Sequence, residues 1–445
     1  MKYTAFKTKF KTFLIKEKWI LIVMLLLFLE RLIAMIQLGV TYTLESDDLS
    51  YVNAGITFIK TGSITMHGVV SAQIMPGMPV FIGIISLFFG EGNLLWLALK
   101  LIWITMGVLS AYFIYKSVSL FAPKWCGIVA SLFLFTPDFV WMDNVILTET
   151  PFMLLISAMI YFTFMMARSS KNKYFWMCLV SYFLALMLKA NIGIYPVFAL
   201  IYLLLKKYNV KLLFKQALIL ACVLCCFFIP WSIRNYIQFY AFIPLTYGAG
   251  NPILLGTYQG VGYPEDSSLD YKANVDDVAN EKFKKYYDTD GTIKEPYLAR
   301  YVSLETDGIK AKYRISEWFK TNPFSLLKSY LWYKPKHMII SAFYWKEIFG
   351  VAIQSFKYLR TIEFIIVVFA FLSAFFLKKK REEMFFLGFL YIGNIYLYAL
   401  TYAFERYSQP LLPIRFIAFG IGLYLFTEIK AKVFNSSDKI TQNEA

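Results

Sequence analysis

The chain has 445 residues, 58% of them hydrophobic, with a mean hydropathy of +0.55. That is too apolar for a soluble protein of this length, and apolar runs of about 20 residues recur, the length that crosses ~30 Å of hydrocarbon. The short alternating segments of a membrane barrel are missing, and the net charge of +16 does not mark a nucleic-acid binder, because of where it sits.

Residues 1–18 carry six Lys and one Glu. Further basic clusters are Lys116 and Lys124; Arg168, Lys171 and Lys173; Lys206, Lys207, Lys211 and Lys215; and Lys378, Lys379, Lys380 and Arg381. Each abuts an apolar run, whereas the polar stretch from Ile237 to Phe349 is nearly balanced in charge. The excess therefore reads as the positive-inside signal of a multi-pass protein of the plasma membrane with both termini cytoplasmic.

Span one, near Trp19–Val40, then leads outward to a mixed segment, 41–90. Its last part, Met75–Gly90, is short and contains Pro76 and Pro79. Charge parity predicts an interfacial or re-entrant piece there. Further spans are expected near Leu94–Tyr115, Gly127–Trp141, Pro151–Ala167, Tyr174–Leu188, Ile192–Leu205 and Leu213–Trp231. After a large outer loop come Ile362–Leu377, Met384–Tyr402 and Leu411–Phe426. The expectation is an all-α polytopic membrane protein of about 10–12 transmembrane helices, with interfacial helices in the first and the large outer loops. Residues 1–235 form an N-terminal transmembrane module carrying the first outer loop (41–90). Residues 236–350 form the extracytoplasmic loop, 351–434 the C-terminal helices, and 435–445 a disordered tail. In the large loop, Lys310–Trp318 and Phe324–Tyr333 read as interfacial helices, with Trp318, Trp332, Tyr333, Tyr344 and Trp345 at headgroup level. All five cysteines lie in or beside apolar segments and read as small apolar residues, including Cys222-x-x-Cys225.

Asp47-Asp48-x-x-Tyr51 opens a helix that Thr61-Gly62 ends. Asp47 and Tyr51, four apart, share a face. Taken alone, Ser46, Asp47 and Asp48 read as helix caps. A second acidic group, Asp138, Asp143, Asn144 and Glu149, falls at the next outward junction; Glu149 also serves as a helix start. By parity the two groups face the same side, where they supply a base and a substrate or metal contact. Lys189, Arg234 and Arg406 stand at outward helix ends, where cations are less expected. Snorkelling explains each singly; three together suit a lipid phosphate, which arginine grips with two hydrogen bonds. Glu30-Arg31, inside span one, reads as a structural ion pair, Lys100 is ambiguous, and His67 reads as structural. No metal-ligand spacing and no nucleotide-binding loop is present, so no cofactor is required by the sequence, and a divalent metal is possible but unspecified.

Sugar nucleotides are cytosolic. A site on the other face would instead draw on a polyprenyl-phosphate sugar, with Asp47 taking the proton of the attacking hydroxyl and cations steadying the phosphate leaving group. One base and no nucleophile implies inversion. At this point the chain resembles the GT-C superfamily of polytopic glycosyltransferases, especially the protein O-mannosyltransferase and lipid A aminoarabinose transferase group. The resemblance rests on four elements in order: Asp47-Asp48-x-x-Tyr51; Met75-Pro76-Gly-Met-Pro79 followed by Leu87-Phe-Phe-Gly90; Pro230-Trp231-Ser-Ile-Arg234-Asn235; and Glu405-Arg406-Tyr407-x-x-Pro410-x-x-Pro413. It implies Asp47 as catalytic base and Arg234 and Arg406 near donor phosphate. Asp48, Tyr51, Asp143, Glu149, Lys189 and Tyr407 are expected to join them in binding substrate. Departures are Asp48 where Glu is commoner, and Met75 where some relatives carry Lys. The expected partners are a polyprenyl-phosphate-linked sugar, an envelope acceptor and the bilayer, with no nucleic acid. A transporter or flippase, or a polymerase, acting on lipid-linked sugars is the rival reading.

Overall fold

Hydrocarbon offers no partner for a bare backbone N–H or C=O, so long apolar runs close their hydrogen bonds within helices. The computed structural model describes Thr12 and residues 14–443, and the chain is an all-α polytopic membrane protein. Four of the six N-terminal lysines therefore lie outside the described residues.

The order begins with α1 (Lys18–Leu38) and α2 (Asp47–Thr61). A hairpin follows, β1 (Thr65–Met66) paired antiparallel to β2 (Val69–Val70), with Thr65 opposite Val70 and Met66 opposite Val69. His67 (φ 51°) and Gly68 (φ 81°) turn it, both in the left-handed region, as the tightest hairpin turn with a right-handed twist requires. Next come α3 (Gly77–Phe89), α4 (Asn93–Ser119), α5 (Lys124–Leu132), α6 (Pro137–Met142), α7 (Glu149–Ser169), α8 (Asn172–Leu188), α9 (Tyr195–Leu205) and α10 (Val210–Phe239). The large loop contributes α11 (Gly250–Gly256), α12 (Asp277–Phe283), α13 (Pro296–Thr321), α14 (Pro323–Lys328) and α15 (Lys334–Ile340). The chain closes with α16 (Gln354–Leu377), α17 (Arg381–Ala399), α18 (Glu405–Ser408) and α19 (Leu412–Asn443).

Six stretches among the described residues are long and apolar enough to cross a membrane: α1, α4, α7, α10, Phe356–Leu377 and Glu405–Lys430. Shorter apolar helices are Gly77–Phe89, Lys124–Phe135, Asn172–Leu188 and Ala190–Leu205. The run expected to span at Gly127–Trp141 is broken. Pro137 drives Thr136 into an extended conformation (ψ 142°), so α5 ends in a 3-10 turn and α6 restarts at the proline. In the large loop, the helix expected at Lys310–Trp318 belongs to the 26-residue α13. Trp318 is fully buried and donates its indole N–H to Ser325 Oγ at 2.6 Å, and Tyr344 is 6% exposed, so both rings pack within the protein. Trp332 and Trp345 are exposed, as expected of an interfacial belt. The tail expected to be disordered continues α19 to Asn443, with no Gly or Pro after Gly422 to stop it.

α7 lies at the centre, between α4 and α8, with Phe152, Ile156, Met159 and Ile160 fully buried. Several charges inside the bundle are paired, as low dielectric favours, while buried Lys100 is held by the carbonyls of Tyr42 and Asn144. Arg31 donates to Asp143 at 2.7 Å and contacts Glu30 at 3.1 Å. Arg360 contacts Asp138 at 2.5 Å, and Arg415 contacts Glu363. Two glycines set helix approach near the site. A side chain at Gly55 would lie 2.6 Å from Ile82, so α2 and α3 touch backbone to side chain. One at Gly77 would overlap the Met187 carbonyl, so the start of α3 seats against the end of α8, two residues before Lys189.

Candidate active site

At the end of the bundle remote from Lys18, Lys116 and Lys124, four loops and helix starts converge on a polar cavity of about 290 Å³. Asp47 and Tyr51 reach it from the first turns of α2. Thr148 and Glu149 come from the start of α7, Lys189 and Asn191 from the end of α8, and Arg406 and Tyr407 from α18. Met66, Gln73 and Met75 close it on the hairpin side, with Thr246 and Tyr398.

The charged groups form an unbroken chain. Arg406 Nη2 is 3.2 Å from Asp47 Oδ2, and Arg406 Nε is 3.4 Å from Glu149 Oε1. Lys189 Nζ donates to the same Glu149 oxygen at 3.1 Å. These two carboxylates and two cations balance in charge, and the two cations are the groups that could hydrogen-bond a bound anion. Glu149 is 2% exposed, Lys189 13%, Arg406 15% and Asp47 33%. Asp47 is thus the most accessible member. The rings fix the cations. Tyr407 stacks on Tyr398 with centroids 5.3 Å apart, and its face lies 5.3 Å from Lys189 Nζ and 5.6 Å from the Arg406 guanidinium carbon. Burial above all, and then the Asp47 charge, raises the Tyr51 phenol above its ordinary range, so it stays a hydroxyl donor.

The expected site residues divide. Asp47, Tyr51, Glu149, Lys189, Arg406 and Tyr407 meet at the cavity. Asp48 does not. It is fully buried and accepts from Leu44 N at 2.7 Å and from Ser46 N at 3.4 Å, tying the loop to the helix start. Ser46, the N-cap, makes no side-chain capping bond; Asp48 instead reaches back to the N–H groups of Ser46 and Leu44. Asp143 lies inside the bundle, held by Arg31 and by Thr150 Oγ1 at 2.8 Å. Gly107 leaves room for its carboxylate, which a Cβ there would overlap. Arg234 spends its guanidinium on the hairpin: Nη1 donates to Ser71 O at 3.0 Å, and Nη2 to Ile64 O at 3.4 Å. Neither Asp143 nor Arg234 lines the cavity.

His67, Gln73, Thr148, Asn191 and Tyr398 were not legible as site residues. His67 Nε2 lies 3.6 Å from Asp47 Oδ1, and Nδ1 is 3.0 Å from Ser50 Oγ. The sequence hint for it was faint: a His-Gly pair between Ile64-Thr-Met66 and Val69-Val70, outside the Asn-Gly, Asp-Gly and Gly-Gly pairs that mark such turns. Among the described residues, no three His, Cys, Asp or Glu side chains gather as they would around a metal ion.

A family model described as dolichyl-phosphate-mannose-protein mannosyltransferase matches residues 75–233. That window holds Glu149 and Lys189 and stops short of Asp47 and Arg406 on either side. The likeness to GT-C membrane glycosyltransferases read in the four sequence elements is matched by this model over the middle of the chain. No curated protein matches the chain. Among solved structures the chain is similar to ArnT from Cupriavidus metallidurans bound to undecaprenyl phosphate, with 11% identity and a TM-score of 0.41, covering 92% of this chain and 77% of that one. ArnT from the same organism in the apo state matches with 12% identity and a TM-score of 0.39, over 91% and 76%.

Proposed function

We propose that this chain is an inverting GT-C glycosyltransferase. It moves a sugar from a polyprenyl-phosphate donor to an envelope acceptor, a glycopolymer, glycolipid or protein, on the extracytoplasmic face. The observation that carries the reading is the chain Asp47–Arg406–Glu149–Lys189 around one polar cavity at the end of an apolar bundle. The family model adds the donor class, since its description names a dolichyl-phosphate sugar.

The chemistry follows from the charges. An acceptor hydroxyl enters beside Asp47, the most accessible carboxylate, which takes the hydroxyl proton as the oxygen attacks the anomeric carbon. The bond from that carbon to the phosphate oxygen breaks, and its electron pair leaves with the polyprenyl phosphate. Arg406 and Lys189 stabilise the charge that grows on the leaving phosphate. Glu149, buried between them, keeps both cations in place and keeps them charged. A single displacement inverts the anomeric centre. The apolar outer surface of the helices lets the prenyl tail stay in lipid while its phosphate enters at the rim. Basic clusters at the opposite end of the bundle support cytoplasmic termini and, with them, an extracytoplasmic cavity.

The test uses the purified full chain, a polyprenyl-phosphate sugar and a hydroxyl acceptor. Transfer with an inverted anomeric configuration is expected. Retention of configuration, or transfer that proceeds equally from a sugar nucleotide, contradicts the reading. A tag after Ser46 that is reached only from the cytoplasm contradicts the orientation.

A further inference from the structure

We propose that His67 is the positioning residue of the Asp47 base: its Nε2–H holds Asp47 Oδ1 toward the cavity while Ser50 fixes the ring from the other side. The inference rests on the transferase reading above and adds to it a residue that none of the four sequence elements contains.

The geometry is particular. Asp47 and Ser50 are three residues apart at the start of α2, so their side chains rise on neighbouring faces of one turn. The His67 ring spans that turn from the hairpin. Nδ1 is 3.0 Å from Ser50 Oγ, and Nε2 is 3.6 Å from Asp47 Oδ1. If Ser50 donates its O–H to Nδ1, the proton of the neutral ring sits on Nε2 and faces the carboxylate. The opposite tautomer would aim a lone pair at a negative oxygen. The 3.6 Å separation is long, as catalytic contacts often are until the substrate closes them.

The hairpin that carries His67 is braced on three sides. Arg234 from α10 bonds the carbonyls of Ile64 and Ser71. Tyr247 donates its backbone N–H to Ala72 O at 3.0 Å, and its hydroxyl meets Ser71 Oγ at 3.2 Å. Arg300 from α13 donates to Gln73 Oε1 at 2.9 Å. A two-residue turn with a non-glycine residue at φ 51° is thus held with its His67 side chain beside Asp47.

The need for such a residue follows from Arg406. Asp47 has two partners, Arg406 at Oδ2 and His67 at Oδ1. When Arg406 turns to the donor phosphate, Oδ2 is released to accept a proton, and His67 is the contact that keeps the carboxylate aimed. The charged groups facing His67 are Asp47 on α2 and Arg300 on α13. Burial first, and Arg300 next, lower the imidazole below its ordinary range, against an upward pull from Asp47. The ring is therefore neutral at neutral pH. On acidification it gains a proton, grips Asp47 as a cation and weakens the base.

The experiment compares His67→Ala and His67→Gln in the full-length protein, measuring kcat and donor KM from acidic to neutral pH. His67→Ala should lower kcat about ten- to a hundredfold with donor KM unchanged, the cost of a misaimed base. His67→Gln places an amide N–H near the Nε2 position, so it should restore most of kcat, and its rate should no longer fall with imidazole protonation. Unchanged kcat in His67→Ala overturns the proposal, as does a Gln variant as slow as Ala. A second measurement is independent of transfer. The chain has two histidines, so His337→Gln leaves His67 as the only imidazole for NMR titration. Adding Asp47→Asn should lower its pKa. An unmoved titration overturns the contact even where transfer proceeds. No transfer by the unaltered chain, with the titration shifting as expected, overturns the transferase reading and the catalytic role with it.

Discussion

Arg31 and Asp143 are both fully buried, 2.7 Å apart, whereas Arg406 and Asp47, 3.2 Å apart, keep 15% and 33% of their side chains in contact with solvent. Both pairs join an arginine to an aspartate that the sequence places at outward junctions. The buried pair is held on every side by protein groups, Arg31 also by Glu30 and the Leu134 carbonyl and Asp143 also by Thr150, so its charges are fixed in place. The open pair sits on the wall of a cavity, where water and ligands compete for the same oxygens and nitrogens. Charge within an apolar bundle is thus not enough to mark a site; access separates a strut from a reactive group.

The comparison breaks most violently if the buried partner is removed. Asp143→Ala leaves the buried Arg31 guanidinium with Glu30 as its one carboxylate contact and should destabilise the fold by about 3 kcal/mol, seen as a large fall in the thermal midpoint in detergent. A midpoint close to that of the unaltered chain would show the pair to be dispensable. Arg406→Ala should leave the midpoint nearly unchanged while weakening donor binding by about ten- to a hundredfold, the ~1.5–3 kcal/mol of hydrogen bonds to a charged phosphate. Equal donor affinity would remove Arg406 from the phosphate. Gly107→Ala overlaps the Asp143 carboxylate and should cost ~1–3 kcal/mol of stability, without a change in transfer per folded molecule. Arg234→Ala is the mildest. It loses two bonds to the hairpin, ~1 kcal/mol each at most, and should leave donor affinity untouched while loosening the segment that carries His67. A loss of donor affinity matching that of Arg406→Ala would return Arg234 to the phosphate.

The helices were legible because an apolar run of spanning length has few alternatives in lipid, and the break at Thr136-Pro137 was legible in principle, since proline forces the preceding residue out of the helix. Asp47, Tyr51, Glu149, Lys189, Arg406 and Tyr407 could be gathered from the sequence because charge parity assigns every helix end to one side or the other. Parity does not give depth. Asp143 and Glu149 lie six residues apart at the same junction, yet Asp143 follows the end of α6 and Glu149 begins α7. Asp143 faces Arg31 within the bundle, and Glu149 faces the cavity. Arg234 stood at a suitable height, but the carbonyls of Ile64 and Ser71 claim it, and those come from a hairpin whose strands are two residues each. Strands that short leave little periodic signal, which is why His67 stayed out of view.

Asp47→Asn and Asp143→Asn, assayed side by side for transfer from a polyprenyl-phosphate sugar and normalised to folded protein, separate the two regions most directly. Asp47→Asn keeps the fold and should lose about a hundred- to ten-thousandfold in rate, the span of a general base. Asp143→Asn should yield less folded protein that transfers at the normal rate. Transfer by Asp47→Asn at the rate of the unaltered chain, or a selective catalytic loss in Asp143→Asn, would contradict the assignment of the open pair as the reactive one.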